Sequence, residues 1–368
     1  MPDSTPSSAE LENWEILCSF LPPGWAEQAY LSGAIVRKRY NSDPAVVLRI
    51  LLLHLGTGCS LAETAARATA TGLAQTSAVA VFKRLRWAEP WLRWLAQQMR
   101  APADVPMPTM GRRLRAVDAT SVSEPGSTGS DWKVHYAVNL ADLECDFFQI
   151  TGIKEGGETF RRFPISKGDI MVGDRVYAAP PGISHTVHAG GDVIVRLNRT
   201  ALPVYDEGGT RLALLPLVRS IPDSTRQECR AYVQDPKGGR ITGRLIILRR
   251  SEEAARWACQ RMQRRAQRSR EEVSAEALEF ASYFMVWTSL PTVFEKDQVL
   301  ECYRLRWQIE LVFKRMKSIL GLGHLPKHDP QSAKAWLEGK LFVGLLIEKM
   351  IHAANSISPW GYSLGRTP

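Results

Sequence analysis

The sequence predicts an α/β protein: a mixed sheet flanked by helices, with a helical domain ahead of it and a β-rich insertion within it. Three observations carry this. Between residues 113 and 153 three runs of alternating apolar and polar residues follow one another, as half-buried strands do. From about residue 158 onward, strand-like runs alternate with a short helical stretch, the mark of strands packed under helices. Residues 1–108 carry helical signals, and residues 201–281 have a different, Gly-punctuated β texture. The expected division is a helical domain at 1–108, a mixed-sheet domain at 109–200 and 282–368, and a β-rich insertion domain at 201–281.

Composition limits the function classes. The 368 residues are 45% hydrophobic and 23% charged, ordinary for a globular chain with a sizeable core. Lys and Arg number 47 against 38 acids, a net charge of +9, which favours a polyanionic partner such as nucleic acid. The six cysteines form no C-x-x-C pair, so neither a zinc site nor a disulfide framework is expected, and a reducing compartment fits. The first residues, Met1 to Pro6, lack the order of a signal peptide. The apolar runs at 46–55 and 341–347 are too short to span a bilayer. A soluble cytoplasmic protein with no membrane partner is the expectation.

Taking the elements in order, residues 45–55 have the density of a buried helix that stops at Gly56 and Gly58. Ser60 and Glu63 form a capping box opening a second helix, which Gly72 ends. Thr76 or Ser77 can cap a third, with Phe82, Leu85 and Trp87 on one side and Lys83, Arg84 and Arg86 on the other. Short helix, turn and basic helix outline a helix-turn-helix reader, and a plain helical bundle with a solvated basic face fits equally. Pro102, Pro106 and Pro108 mark a linker. Strands follow at 113–122, 133–140, 147–153, 169–174 and 192–197, with Gly126 and Gly129 turning between the first two and a short helical stretch at 158–163. The insertion has β-like runs at 212–218, 228–233 and 244–248, read as separate from the main sheet, and then a basic helix over 252–272. That helix either follows a DNA backbone or is a solvated surface. A strand at 283–288 leads to a long amphipathic helix over 297–320 and helical sequence to about 355.

On a continuous helix over 297–320, Tyr303, Arg306, Glu310 and Lys317 fall within an arc of roughly 60°, beside an apolar face that includes Ile309, Val312, Phe313, Met316 and Ile319. An acid set among bases suits a metal ion held next to phosphates, although Arg306 and Glu310 also fit an ordinary i,i+4 pair. Asp118 lies inside the first strand, where an unpaired carboxylate is costly, and Asp174 ends the fourth. If those strands are neighbours, two strand acids and one helix acid make a cage for two divalent ions about 3.5–4 Å apart, suited to displacement at a phosphodiester.

The spacing Tyr303, two residues, Arg306, three, Glu310, six, Lys317 resembles the Y-(2)-R-(3)-E-(6)-K signature of bacterial insertion-sequence DDE transposases, the insertion sequence four family. The segments VDATSVSEPGSTGSDWKVHY and GDIMVGDRVYA look like the family's two Asp blocks, and WQIELVFKRMKSILGLGHLPKHDP like its Glu block. The resemblance covers about residues 40–360. It implies a ribonuclease-H-like fold with an insertion between the second Asp and the Glu. It further implies that Asp118, Asp174 and Glu310 are catalytic and bind two magnesium ions, for which manganese can substitute. Tyr303, Arg306 and Lys317 would hold the DNA end. Phe284 is the positional match to an aromatic that stacks on a flipped base in some relatives, with Tyr283 and Trp287 as competitors and a core role open to all three. The implied partners are double-stranded DNA, both terminal inverted repeats and target, and a second copy in a homodimer assembled on DNA. Relatives often continue beyond the segment Pro359-Trp360-Gly361, which leaves a truncated inactive copy as an alternative. A transposase-derived repressor and a nuclease without strand transfer are the rival readings.

Overall fold

The computed structural model describes residues 8–36, 43–101, 105–222, 226–326 and 329–357, with side chains left undescribed at 8–12 and 355–357. Pro102 and the segment 358–368 lie outside the described residues.

The chain begins with helices α1 (Ser8–Ser19), α2 (Trp25–Leu31), α3 (Pro44–Thr57), α4 (Leu61–Ala70), α5 (Ala78–Trp87) and α6 (Glu89–Gln98). Their ends are chemically marked. Asp43 accepts the Ala45 N–H ahead of Pro44, and Gly58 (φ 72°) closes α3. Ser60 and Glu63 form the reciprocal capping box of α4, and Ser77 accepts the Ala80 N–H to open α5. Ile50, Ala65, Ala68, Ala74 and Val81 knit α3, α4 and α5 into a small core. On α5, Leu85 is buried as expected, but Trp87 stands 54% exposed, so the apolar side is narrower than its sequence suggests.

Among the described residues, eight strands form one sheet in the order β3-β2-β1-β4-β5-β10-β9-β6. These are β1 (Leu114–Val122), β2 (Trp132–Asn139), β3 (Cys145–Gly152), β4 (Ile170–Gly173), β5 (Asp192–Arg196), β6 (Arg226–Arg230), β9 (Arg244–Arg249) and β10 (Tyr283–Thr288). A separate pair, β7 (Val233–Gln234) and β8 (Arg240–Ile241), forms a small ribbon. Strands β1 to β3 are an antiparallel meander, while β1, β4 and β5 run parallel. Helix α7 (Pro180–His188) makes the crossover between β4 and β5.

Two departures from the sequence reading lie in the insertion. Strands β6 and β9 extend the main sheet beyond β10 instead of forming a separate β unit. The reason is hydrophobic: β9 (RLIILR) is apolar on both faces, and a place beside β10 sets Ile246 in one core and Leu245 and Ile247 in the other. The run at 212–218 is helix α8 (Leu214–Arg219), because Pro216 cannot donate to a ladder but fits a first helical turn. Helices α9 (Glu252–Ser269) and α10 (Ala275–Ala281) complete this region.

Side chains alternating across the sheet feed two cores. Val117, Met171, Val193, Val195 and Trp287 point toward α7 and the insertion. Ala116, Val122, Tyr136, Val172 and Val286 point the other way, toward α11 (Lys296–Leu305), α12 (Trp307–Ser318) and the long α13 (Pro330–Ile357). Helix α13 also packs along α6 and against α3 and α5, so the N-terminal helices share this second core. A Cβ on Gly339 of α13 would come 2.4 Å from Leu55 Cδ1, which is why a glycine stands at that crossing.

Glu338, 3% exposed on α13, carries a titratable cost. Burial, with the Glu89 carboxylate adding to it, pushes Glu338 up to about 7 from 4.5. The folded state thus binds this proton more tightly, so stability falls as pH rises from about 4.5 to about 7, with the cost complete above that range. Glu338→Gln is expected to gain about 2 kcal/mol over the parent at pH 8 and nothing near pH 4. Thermal unfolding of both proteins across this range checks it; a constant difference would contradict it.

Candidate active site

Strand β1 pairs with β4 in parallel up to Ala116 opposite Val172. Two residues further along each chain stand Asp118 and Asp174, so the carboxylates sit side by side where the strands splay. Asp118 shares the face of Ala116 and looks toward α12. Its Oδ1 accepts the Ala119 N–H at 2.8 Å. Burial pushes Asp118 up to about 7, and Asp174 and Glu158 add to the rise, while the Ala119 bond and Arg306 oppose it. Asp174 accepts the Val176 N–H at 2.8 Å, which fixes the turn after β4. Gly173 permits that turn, since a Cβ there would meet Tyr177 Cβ at 2.7 Å.

Glu310 lies in the first turn of α12 with its side chain 48% exposed, ion-paired to Arg306. Arg306 Nη1 is also 3.7 Å from Asp118 Oδ2. One guanidinium therefore lies between the strand acid and the helix acid. Among the described residues, no three acids, His or Cys are gathered tightly enough to hold a metal ion directly. Asp118 and Asp174 come together, and Glu310 joins them only across Arg306.

The helix expected to be continuous over 297–320 is broken at Arg306 into α11 and α12. The Arg306 N–H bonds to Tyr303 O and the Ile309 N–H to Arg306 O, i→i+3 contacts that tighten the chain there. The single arc of Tyr303, Arg306, Glu310 and Lys317 is thus divided between two helices. Ile319, read as part of the packing face, is 72% exposed because α12 has ended at Ser318.

Tyr303, 8% exposed, packs edge-on against Phe284 with ring centroids 5.3 Å apart, and Arg306 lies 5.7 Å from the Tyr303 ring centre. The guanidinium groups of Arg196 and Arg250 each lie 5.4 Å from the Phe284 ring centre. Strand alternation separates the three aromatics of β10. Phe284 faces this cluster half-buried, while Tyr283 and Trp287 are buried in the opposite core, Trp287 donating to Ala231 O at 3.0 Å. Lys317 is exposed in the last turn of α12. Of the N-terminal bases, Lys83 is exposed, Arg84 donates to Thr76 Oγ1 at 2.8 Å, and Arg86 donates to Gln331 at 2.7 Å and pairs with Asp329 at 3.5 Å. Two of the three are engaged within the chain.

Sequence reasoning missed Glu158, which pairs with Lys133 at 2.7 Å and faces the Asp pair electrostatically. It also missed Arg196 and Arg250. Each is a cation at or just past a strand end, the one local signal that could have flagged them.

An antiparallel meander continued by two parallel strands, with paired carboxylates where the first and fourth strands splay, defines the ribonuclease-H-like polynucleotidyl transferases. The model described as Transposase DDE domain matches residues 109–346. The chain is 32% identical over 357 residues to InsL of insertion sequence element IS186A from Escherichia coli (strain K12), covering 95% of this chain and 96% of that one. It is 32% identical over 358 residues to the transposase for insertion sequence element IS421 from Escherichia coli, with the same coverage of both chains. This chain belongs to the DDE transposases of insertion sequences. Membership carries dependence on a divalent metal and action on DNA. No helix among the described residues is long and apolar enough to cross a membrane.

Proposed function

We propose that the chain cuts DNA at the ends of an insertion sequence and joins the freed 3′ ends to new DNA, using Asp118, Asp174 and Glu310 as the catalytic carboxylates. The observation that carries this is the Asp118–Asp174 pair at the splayed ends of β1 and β4, where burial, with the neighbouring Asp174 adding to it, pushes Asp118 up to about 7. Carboxylate oxygens crowded in this way suit a hard divalent cation, and two magnesium ions, or manganese in their place, are the natural occupants. Bound cations would supply Lewis acidity at the scissile phosphodiester.

The protein's own groups do the rest. Arg306 balances Asp118 and Glu310 before DNA arrives and is placed to turn to a phosphate. Lys317 offers a second cation, an ammonium, two turns beyond Glu310 on α12. Tyr303 and Phe284 give the DNA end an aromatic wall, with Tyr303 a positioning group and not a nucleophile. Residues 1–108, with Lys83, Arg84 and Arg86, form the domain that reads the terminal inverted repeats, and residues 201–281 add a cationic flank. The enzyme acts as a homodimer assembled on double-stranded DNA, in the bacterial cytoplasm at the nucleoid.

The test incubates the full chain with duplexes bearing the element's end and a target plasmid. Magnesium is expected to yield end cleavage and joined products, and a chelator is expected to abolish both. Cleavage without joining would reduce the activity to a nuclease; binding without cleavage would make the chain a repressor.

A further inference from the structure

A cleft of about 660 Å³ lies where the corner between α3 and α4 meets α13 and the segment leading into it, and none of the proposed site residues lines it. Its floor is made by Lys340 and Trp336 of α13, each 4% exposed. The Lys340 ammonium lies 5.0 Å from the Trp336 ring centre and donates to Leu55 O, a carbonyl left over in the last turn of α3. That bond uses one of its three protons. Burial pushes Lys340 down to about 8 from 10.5, with no acid close enough to oppose it. The lysine is thus a buried cation short of counter-charge, on the wall of an open cleft.

The start of α4 opens on the same cleft through Ser60 and Leu61. Its capping box uses the N–H groups of Ser60 and Glu63, which leaves those of Leu61 and Ala62 without an acceptor inside the helix. Glu63 is the one carboxylate among the lining residues, and it is turned back onto the Ser60 N–H at 3.0 Å. The imidazole of His324, exposed at the rim, adds another donor. An ammonium facing the first turn of a helix is the pairing that holds phosphate oxygens. The remaining wall is apolar, with Leu320 buried and Ile319 72% exposed. A bare phosphate would fill a small part of this volume, which suits an anion carrying an organic body.

We infer that this cleft binds a small phosphate monoester, its phosphate between Lys340 and the first turn of α4 and its apolar body along Ile319 and Leu320. One wall belongs to α3 and α4 and the other to α13, so the bound ester would fasten the helical domain to the body of the enzyme. It is a regulatory site that needs neither metal nor DNA, and it stands apart from the function proposed above. A phosphate of a DNA backbone offers the same anion, and the test separates the two sources.

The test uses the full chain in a chelating buffer at constant ionic strength, with phenyl phosphate as the probe and inorganic phosphate beside it. Calorimetry is expected to show saturable binding of phenyl phosphate at one site, with inorganic phosphate about tenfold weaker. Saturating phenyl phosphate should also raise the unfolding temperature, because only the folded chain holds the site. Lys340→Met should weaken phenyl phosphate binding by about tenfold or more. Lys340 is buried and its loss can cost stability, so Ile319→Asp serves as a second variant on exposed surface. It should unfold at the parent's temperature without ligand and lose binding to a similar extent. A parent with no saturable binding overturns the inference, as does either variant that binds phenyl phosphate like the parent. A short duplex that displaces phenyl phosphate from the parent would assign the cleft to backbone phosphate and overturn the small-ligand reading.

Discussion

Asp118→Asn, Asp174→Asn and Glu310→Gln are each expected to lower end cleavage about a thousandfold while leaving the chain folded and bound to DNA. Each change removes an anionic oxygen and keeps the volume. The phosphate contacts proposed for Arg306 and Lys317 do not require the missing oxygen, so affinity for end DNA should persist. Asp118→Asn carries a second expectation. The folded pKa of Asp118 lies near 7 against an ordinary 3.8, so the folded state pays for ionisation as pH rises across that interval. Above pH 7, without metal, the asparagine variant should be the more stable by about 2 kcal/mol. Cleavage assays, gel shifts and thermal unfolding on the same three proteins separate these effects. A variant that cuts at the parent rate would take its residue out of the site, and an Asp118→Asn protein less stable than its parent at pH 8 would contradict the electrostatic argument.

Arg115→Met is expected to be the most destabilising change outside the site, costing about 3–5 kcal/mol. Arg115 lies at the start of β1, its side chain 1% exposed. It holds Asp146 of β3 through Nε–Oδ2 at 2.6 Å and Nη2–Oδ1 at 2.7 Å. Its Nη1 donates to Pro164 O at 2.6 Å and reaches Asp169 at 3.3 Å. Methionine fills much of the space but leaves the Asp146 carboxyl buried without its partner, which costs more than the pair contributes. Arg113 keeps Asp169 paired at 2.6 Å, so the loss should concentrate at β3. Chemical denaturation of the Arg115→Met and Arg115→Met/Asp146→Leu proteins provides the test. The double change should recover most of the loss, and a single variant within 1 kcal/mol of the parent would show that the network is dispensable.

The relation between sequence and structure is clearest element by element. The glycine stop of α3, the caps of α4 and α5, the strands β1 to β5 and β10, and the α9 helix were legible because each is set by neighbours in sequence: a glycine past a helix end, a side-chain oxygen three residues from an N–H, or an apolar period of two. The family was legible because the spacing from Tyr303 to Lys317 and both Asp blocks occur in order. The side-by-side placement of Asp118 and Asp174 needed one further condition, that β1 and β4 pair, and the register supplies it.

The tertiary structure decided everything that depends on which distant segments meet. Strands β6 and β9 join the sheet because the edge of β10 is an unpaired ladder, and no local pattern says which strand will cover it. The break at Arg306 has no proline or glycine to announce it; it shows only as tightened hydrogen bonds around a guanidinium drawn between Asp118 and Glu310. Glu158 acts on Asp118 from a separate segment, itself paired with Lys133 of β2. By itself the sequence determined helices α3 to α5 and α9, most of the strands and the family; the partners of its charged groups were left to long-range packing, because Coulombic and hydrophobic contacts depend on distance in space and not on distance along the chain.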